Sequence, residues 1–386
     1  MVTMKDVAKA AGVSQASVSY AYSGSPRVSP PQREQIFAVA ARLGYTGPNI
    51  AGRSLRSGRI GTVGVLVPGS LAAAVEDPST ALLLKGIVEV GELADVALTL
   101  LPVPRVDTAE AGPTQPTVLR GLVDGVVMHC LPDDHPVVEA VLARGIPAVA
   151  IDSPRLPRLP YVTVDHRSAG ADQMKHVLGQ GHRRIAIICD RLGPPAPSPA
   201  APSPASRREL AQISPKSREF VSARESVGSR PPHPLRDVAP VAEVYLRERL
   251  AGYRDALREA GISDSDVMVV ESADIDMGSG MAAVAELLEH TQPTAIVATS
   301  DVHAVAAVKV LRERGVSVPA DVSVIGFDDA PIADLMQLTT IRQPLVDKGR
   351  TAARILLDLI DGQTRRRSVK PTELVVRAST GPPPGH

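Results

Sequence analysis

The sequence predicts a small all-α head followed by a two-lobed α/β body. Three observations carry that prediction. A short helix, a glycine and a second short helix open the chain, as TMKDVAKAAGVSQASVSYAY over 3–22. From residue 60 onward, apolar runs of strand length alternate with helical stretches, and they do so twice over. Charge is divided along the same line. The 386 residues balance to zero, yet residues 1–59 hold eight Lys/Arg against Asp6 and Glu34, so +6 sits on the head and −6 on the remainder. A basic head on an acidic body points to nucleic acid at the head alone.

In the first helix Val7, Ala8, Ala10 and Ala11 share one face, with Lys5, Asp6 and Lys9 on the other. Gly12 ends it, and Ser14 is an N-cap for the second helix. Two short helices joined by a tight glycine turn form a helix-turn-helix, whose second helix enters the major groove. That helix presents Ser14, Gln15, Ser17, Ser19 and Tyr20, hydroxyl and amide groups suited to phosphates and base edges. The alternative is a generic helical hairpin inside a core, for which such a surface is poor. Ser29 caps a third helix with Pro30 in its first turn, and Ile36, Val39, Ala40 and Leu43 line one face up to Gly44. Residues 49–58 are a short basic segment with a lone leucine, Leu55.

The body reads as strands at 60–67, 96–101, 125–128 and 148–151, with helices at 80–93, 118–122 and 136–144. Strands this continuously apolar fit a parallel sheet covered on both faces. A second run follows, with strands at 161–164, 184–188, 267–270, 295–298 and 322–327. Its helices fall at 169–178, 246–260, 280–289 and 302–314. A helix at 351–360 and a strand at 374–377 close the chain. Residues 191–240 interrupt this second run with eleven prolines. Such a stretch buries too little apolar surface to offset its ordering entropy, and it is expected to be a disordered insertion.

Other classes are disfavoured. Cys130 and Cys189 lie in apolar runs without metal-ligand spacing and read as buried thiols of a reducing compartment, so no metal or cofactor is expected. The start is basic and polar with no apolar signal region, and no run reaches membrane length, so a cytoplasmic protein is expected. Secreted solute-binding proteins share two α/β lobes, but the basic head argues against that class. No GxGxxG, P-loop, GxSxG or HExxH occurs, which argues against an enzyme. Asp328 and Asp329 could be imagined as an acid–base pair, but adjacent residues leaving a strand point apart. The remaining alternative is a small-molecule-binding protein of the cytoplasm without regulatory DNA binding.

The residues also resemble a known family, the LacI/GalR transcriptional regulators. The likeness starts at KDVAKAAGVSQASVSYAYSG and VSPPQREQIFAVAARLGYTGPN. It continues through VDHRSAGADQ, LGQGHRRIAII and SDVHAVAAVKVLRERGVSVPADVSVIGFDD to LTTIRQPLVDKGRTAARILL and LVVRAST. It covers nearly everything except the proline-rich stretch. The resemblance implies a homodimer whose two heads read a pseudo-palindromic operator. Each body is then a periplasmic-binding-protein-like pair of lobes with a small-molecule effector, a sugar or related metabolite, in the cleft. Domains follow as a head at 1–48, a hinge helix at 49–59 and an effector and dimerisation body at 60–380.

By resemblance, Gln15, Ala16 and Tyr20 read bases, while Ser14, Ser17 and Ser19 meet phosphates or cap. Asn49, Arg53 and Leu55 belong to the hinge, with Leu55 as a minor-groove wedge. Ala16 departs from relatives that carry an amide there and is limited to apolar contact, such as a thymine methyl. Effector contacts carry over to Asp152, Val164, Arg249, Asp301 and Asp328. Ligands of open α/β sheets do bind at strand carboxyl ends. Two bland readings stand beside these: Asp301 as a helix cap, and Arg249 as a solvated helix residue.

Overall fold

The computed structural model describes residues 2–47, 59–90, 96–103, 123–190, 231–238, 241–363 and 366–385. The predicted hinge residues Asn49, Arg53 and Leu55, the predicted helix at 118–122 and most of the proline-rich stretch lie outside the described residues. The chain divides into two compact units, Met1–Gly61 and Thr62–His386.

The first unit holds helices α1 (Met4–Ala11), α2 (Gln15–Tyr22) and α3 (Pro30–Leu43). Thr3 and Asp6 close a capping box on α1: Thr3 N donates to Asp6 Oδ2 at 2.9 Å and Asp6 N to Thr3 Oγ1 at 3.4 Å. Gly12 ends α1 at φ +64°, a left-handed conformation that glycine adopts without a side-chain clash. Ser14 caps α2, as its sequence position indicates. Val7, Ala8, Ala11, Val18, Ala21, Val28, Ile36 and Ala40 form the buried core. Ala10 departs from the predicted stripe and is exposed.

The second unit holds two sheets. Sheet one has strands β1 (Thr62–Pro68), β2 (Ala97–Val103), β3 (Gly125–His129), β4 (Ala148–Ile151), β5 (Tyr161–Val164) and a late strand (Arg367–Lys370), all paired in parallel. Alternate residues feed opposite cores. Val63, Val65, Val127 and Val149 pack on one face, and Leu66, Val126, Met128 and Ala150 on the other. Helices α4 (Leu71–Glu76), α5 (Pro78–Val88) and α6 (Pro136–Ala143) follow their strands. The sequence pattern did not reveal α4.

Sheet two is built on β6 (Ile185–Asp190), flanked by β8 (Met268–Ser272) and β9 (Ala295–Ala298). Beyond β9 lie β10 (Ser323–Asp328) and β11 (Thr339–Arg342). These strands run parallel, while β7 (His233–Pro234) and a final strand (Glu373–Val375) cap the two edges antiparallel. Helices α7 (His166–Gly179), α8 (Val244–Glu259), α9 (Met277–His290), α10 (Asp301–Glu313) and α11 (Pro331–Leu335) belong to this lobe.

The sequence reading is corrected in three places, the first being that the strand at 161–164, read as the start of the second run, pairs with β4 and belongs to sheet one. The chain returns to lobe one after β11: α12 (Leu345–Ile360) packs on α5 and sheet one, and Arg367–Lys370 pairs with β5. Among the described residues, three crossovers therefore join the lobes, at 164–166, 342–345 and 370–373. The predicted disordered insertion also ends early. His233–Pro234 pairs with β8, and Leu235 is fully buried, its N–H donating to Val267 O at 2.8 Å. An edge position tolerates the proline because its missing N–H is not needed there.

Candidate functional site

In the first unit, Ser14, Gln15 and Ala16 stand exposed together where α2 begins. Ser14 Oγ accepts from Ser17 N at 3.0 Å and lies 2.8 Å from Ser17 Oγ, so both hydroxyls help to fix the helix start. Free backbone N–H groups and the helix dipole make such an end favourable for phosphate. Ser17, Ser19 and Tyr20 are half-buried. Tyr20 has a partner that spacing did not reveal: Arg27 Nη1 donates to its hydroxyl at 2.9 Å, with the guanidinium 5.3 Å from the ring centroid. Tyr22 meets Phe37 and Tyr45 edge-on, at 5.0 and 5.8 Å between centroids, and so braces α2 against α3.

In the second unit a polar cluster gathers at the carboxyl ends of the strands. Asp152 follows β4 at φ +65°. Its Oδ1 accepts from Thr163 Oγ1 at 3.1 Å and from His166 Nε2 at 3.0 Å, and its Oδ2 accepts from Lys348 Nζ at 2.5 Å. Arg249 is buried, not solvated. Two glycines put it there. A Cβ on Gly170 would meet Arg249 O at 2.5 Å, and one on Gly252 would meet Arg167 O at 2.1 Å, so only glycine lets α7 and α8 approach this closely. The Arg249 guanidinium lies 3.4 Å from the Phe327 ring centroid. Its Nη1 donates to Thr299 O and its Nη2 to His166 Nδ1 at 3.2 Å. Because arginine can only donate, His166 accepts at Nδ1 and carries its proton on Nε2, facing Asp152.

Asp328 ends β10 at φ +122° and accepts from Gln343 Nε2 at 2.6 Å, while Gln343 Oε1 accepts from Lys348 Nζ at 2.8 Å. Asp152, Arg249 and Asp328, predicted from separate stretches, thus join one network. Sequence reasoning missed His166, Gln343 and Lys348. Only their place beside the lobe crossovers could have signalled them.

Two predicted effector residues lie outside this chain of side-chain hydrogen bonds. Asp301 is fully buried: Oδ2 accepts from Ala330 N at 2.7 Å and Oδ1 from Thr340 Oγ1 at 2.6 Å. It braces the loop after β10 against β11, and Ser300 rather than Asp301 caps α10. Val164 is buried in β5 beside Lys370 and offers no polar side chain.

Charge is cancelled between Asp152 and Lys348, whereas Arg249 is bonded to a carbonyl and an imidazole. Burial drives Asp152 upward, but Lys348 and His166 outweigh it and hold the carboxyl well below its ordinary value. Burial, helped by Arg249 and Lys348, lowers His166 to about 4 against the opposing pull of Asp152, so the imidazole is neutral at pH 7. Burial and then Asp301 push Asp328 well above the usual carboxylate range, despite Arg249. Burial also lifts Asp301 to about 7.

His129, Cys130 and Asp152 bring donor atoms within 4.8 Å of one another, the spacing of a metal site. The electrostatics oppose one. Asp152 is already bound to the Lys348 ammonium, which occupies the carboxylate that a cation would need. Among the described residues, the buried atoms without a hydrogen-bond partner include Arg249 Nε, His129 Nδ1 and Ser153 Oγ. Buried groups of this kind are normally satisfied, so they are ready for a polar ligand.

Residues 3–49 match the bacterial regulatory proteins of the lacI family, and 235–380 match a periplasmic binding protein-like domain. An HTH-type transcriptional regulator of Mycolicibacterium smegmatis is 34% identical over 383 residues, spanning 99% of this chain and 97% of its own. The chain belongs to the LacI family. This LacI-family protein is a DNA-binding transcriptional regulator, which sets aside a small-molecule-binding protein without regulatory DNA binding. The solved complex of the transcriptional regulator CelR with cellobiose is 28% identical, with a TM-score of 0.62 over 98% of this chain and 100% of that one. The lac repressor dimer bound to operator shares the fold, with a TM-score of 0.70 at 24% identity over 98% of this chain and 99% of that one. Among the described residues, no helix is long and apolar enough to cross a membrane.

Proposed function

We propose that this LacI-family regulator is a cytoplasmic repressor and acts by binding rather than catalysis. Two copies bind a pseudo-palindromic operator through their heads, with Ser14, Gln15, Ala16, Ser17, Ser19 and Tyr20 toward DNA. Asn49, Arg53 and Leu55 act as the hinge, Leu55 opening the central step of the minor groove. The effector is a neutral polyhydroxylated molecule, a sugar or close relative, held by Asp152, Arg249 and Asp328. Val164 and Asp301 drop out of the contact set.

One observation carries the effector class. The cluster is crowded with donors and acceptors, yet Asp152 is paired with Lys348 and His166 is neutral. Such a surface rewards hydroxyl groups, which both donate and accept, more than a second net charge. The cellobiose held by CelR is a ligand of this type.

Calorimetric titration with neutral sugars, sugar acids and sugar phosphates tests the reading. A neutral sugar should bind, and Arg249→Ala should weaken it by about 1.5–3 kcal/mol, the scale of a hydrogen bond to a charged group. Tighter binding of the acids or phosphates would overturn the assignment.

A further inference from the structure

Lys348 is fully buried, three residues into α12 and just past the second crossover. The other buried residues of α12 are Leu345, Gly349, Ala352, Ala353, Ile355 and Leu356, so the helix face is otherwise apolar. Packing alone would be met by a methionine there, without the desolvation cost of an ammonium. The charge is spent on two bonds that point to different parts of the molecule. One reaches Asp152, at the end of β4 in lobe one. The other reaches Gln343, inside the crossover.

The ammonium also sets an orientation. It has donors only, so Gln343 must turn its oxygen toward Nζ, which leaves the amide NH2 to face Asp328 at the end of β10 in lobe two. On the other side, His166 at the first crossover donates to the second oxygen of Asp152 and accepts from Arg249. The bonds therefore run Arg249–His166–Asp152–Lys348–Gln343–Asp328. They visit both lobes and two of the three crossovers, and each proton assignment is fixed by its neighbour.

We propose that Lys348 is a positioning residue for the effector response. It holds the Asp152 and Asp328 carboxyl groups in register across the cleft and ties them to the crossovers, so that ligand contact at either carboxyl is felt where the lobes join. The role in the response rests on reading this cleft as the effector site. The test uses neither effector nor DNA, so its failure is separate from failure of that reading.

Hydrogen exchange is measured by mass spectrometry on the full-length protein. The samples are the parent, Lys348→Met, the double variant Lys348→Met/Asp152→Asn, and Leu356→Ala as a core control. In Lys348→Met, the amides of Arg342, Gln343 and Leu345 in the segment 342–345, and those at 164–166, should exchange about tenfold faster, a local opening made easier by loss of the tie. Leu356→Ala should not reproduce that pattern. Asp152→Asn removes the charge left unpaired and should restore the melting temperature. The amides at 342–345 should nevertheless stay fast, because Gln343 still lacks its donor. If protection at 342–345 returns with the melting temperature, Lys348 is only the counter-ion of Asp152 and the proposal fails. It also fails if Lys348→Met and Leu356→Ala exchange alike. Should Lys348→Met not fold, the double variant, which buries no unpaired charge, decides the matter by the same segment.

Discussion

Between Ser14 and Tyr20 the head concentrates its proposed DNA contacts in one helix, whereas the cleft draws Asp152 and Lys348 from 196 positions apart. In the head, Ser14, Gln15 and Ala16 point outward, and the core beneath is made by other residues. In the cleft, the residues proposed for function are themselves buried and bonded to one another. Function and stability are thus separable in the first region and entangled in the second.

The bluntest way to break this comparison is to remove the head. A chain starting at Ile60 should lose specific operator binding altogether, a drop of at least about 10³-fold. Sugar titrations should be unchanged. Mobility shifts on genomic fragments measure the first and calorimetry the second. Retained operator binding would place the DNA-reading surface elsewhere.

Single substitutions sharpen the contrast. Asp152→Ala strands the Lys348 ammonium in a buried site and should cost about 3–5 kcal/mol, as breaking one side of a buried ion pair does. Gln15→Ala touches an exposed side chain and should stay within about 0.5 kcal/mol, while changing operator preference. Denaturant melts of the two variants measure both costs. Equal costs would mean that the regions are not built differently.

A pH titration separates the regions in another way. His166 sits at about 4 in the folded chain, below its ordinary 6.5. Between those values the unfolded chain takes up a proton that the folded chain refuses. The His166 contribution is therefore complete above about pH 6.5 and is lost as pH falls toward 4, by roughly 3 kcal/mol, while Asp301 at about 7 and the raised Asp328 take up protons in the folded chain and act in the opposite sense over the same window. Asp152, held below its ordinary value, adds a further loss only under about pH 4. His166→Gln should remove the His166 loss from the upper window, so that the variant loses less stability than the parent as pH falls from 6.5 to 4, and should leave the lower window unchanged. An upper window unchanged in that variant would show that His166 contributes nothing to it.

Legibility in the sequence follows the same division. The head was readable because its signals are local: Gly12 as a turn, Ser14 as a cap, and hydroxyls spaced along α2. The sheets were readable from apolar runs. Short elements such as α4, α11 and β11 carry too few residues for a period to emerge. Asp152, Arg249 and Asp328 could be placed at strand ends or by resemblance, but their partners could not. Nothing local marks Lys348 as buried or Gln343 as oriented, since both depend on the chain re-entering lobe one. The partners of Asp301 were hidden for the same reason, because Ala330 and Thr340 lie beyond its own helix. Leu235 was hidden by its proline-rich neighbours, although it fills a core under β8.

The smallest expected effect lies at Tyr20. Its hydroxyl accepts from Arg27 in an exposed setting, so Tyr20→Phe should change stability by no more than about 1 kcal/mol. Its effect on DNA depends on what the hydroxyl does. It can reach a base itself, or it can hold Arg27 in place for a phosphate. If the hydroxyl acts through Arg27, Tyr20→Phe and Arg27→Ala should weaken operator binding less than additively, with a coupling of about 0.5–1 kcal/mol. Arg27→Ala should also reduce the slope of log affinity against log salt by about one. Additive losses, or a changed base preference in Tyr20→Phe alone, would assign the hydroxyl to the base. The bond at 2.9 Å and the guanidinium over the ring favour coupling, because both side chains are held before DNA arrives. Even this most connected pair of the head should leave the melt nearly unmoved, unlike any member of the Asp152 network.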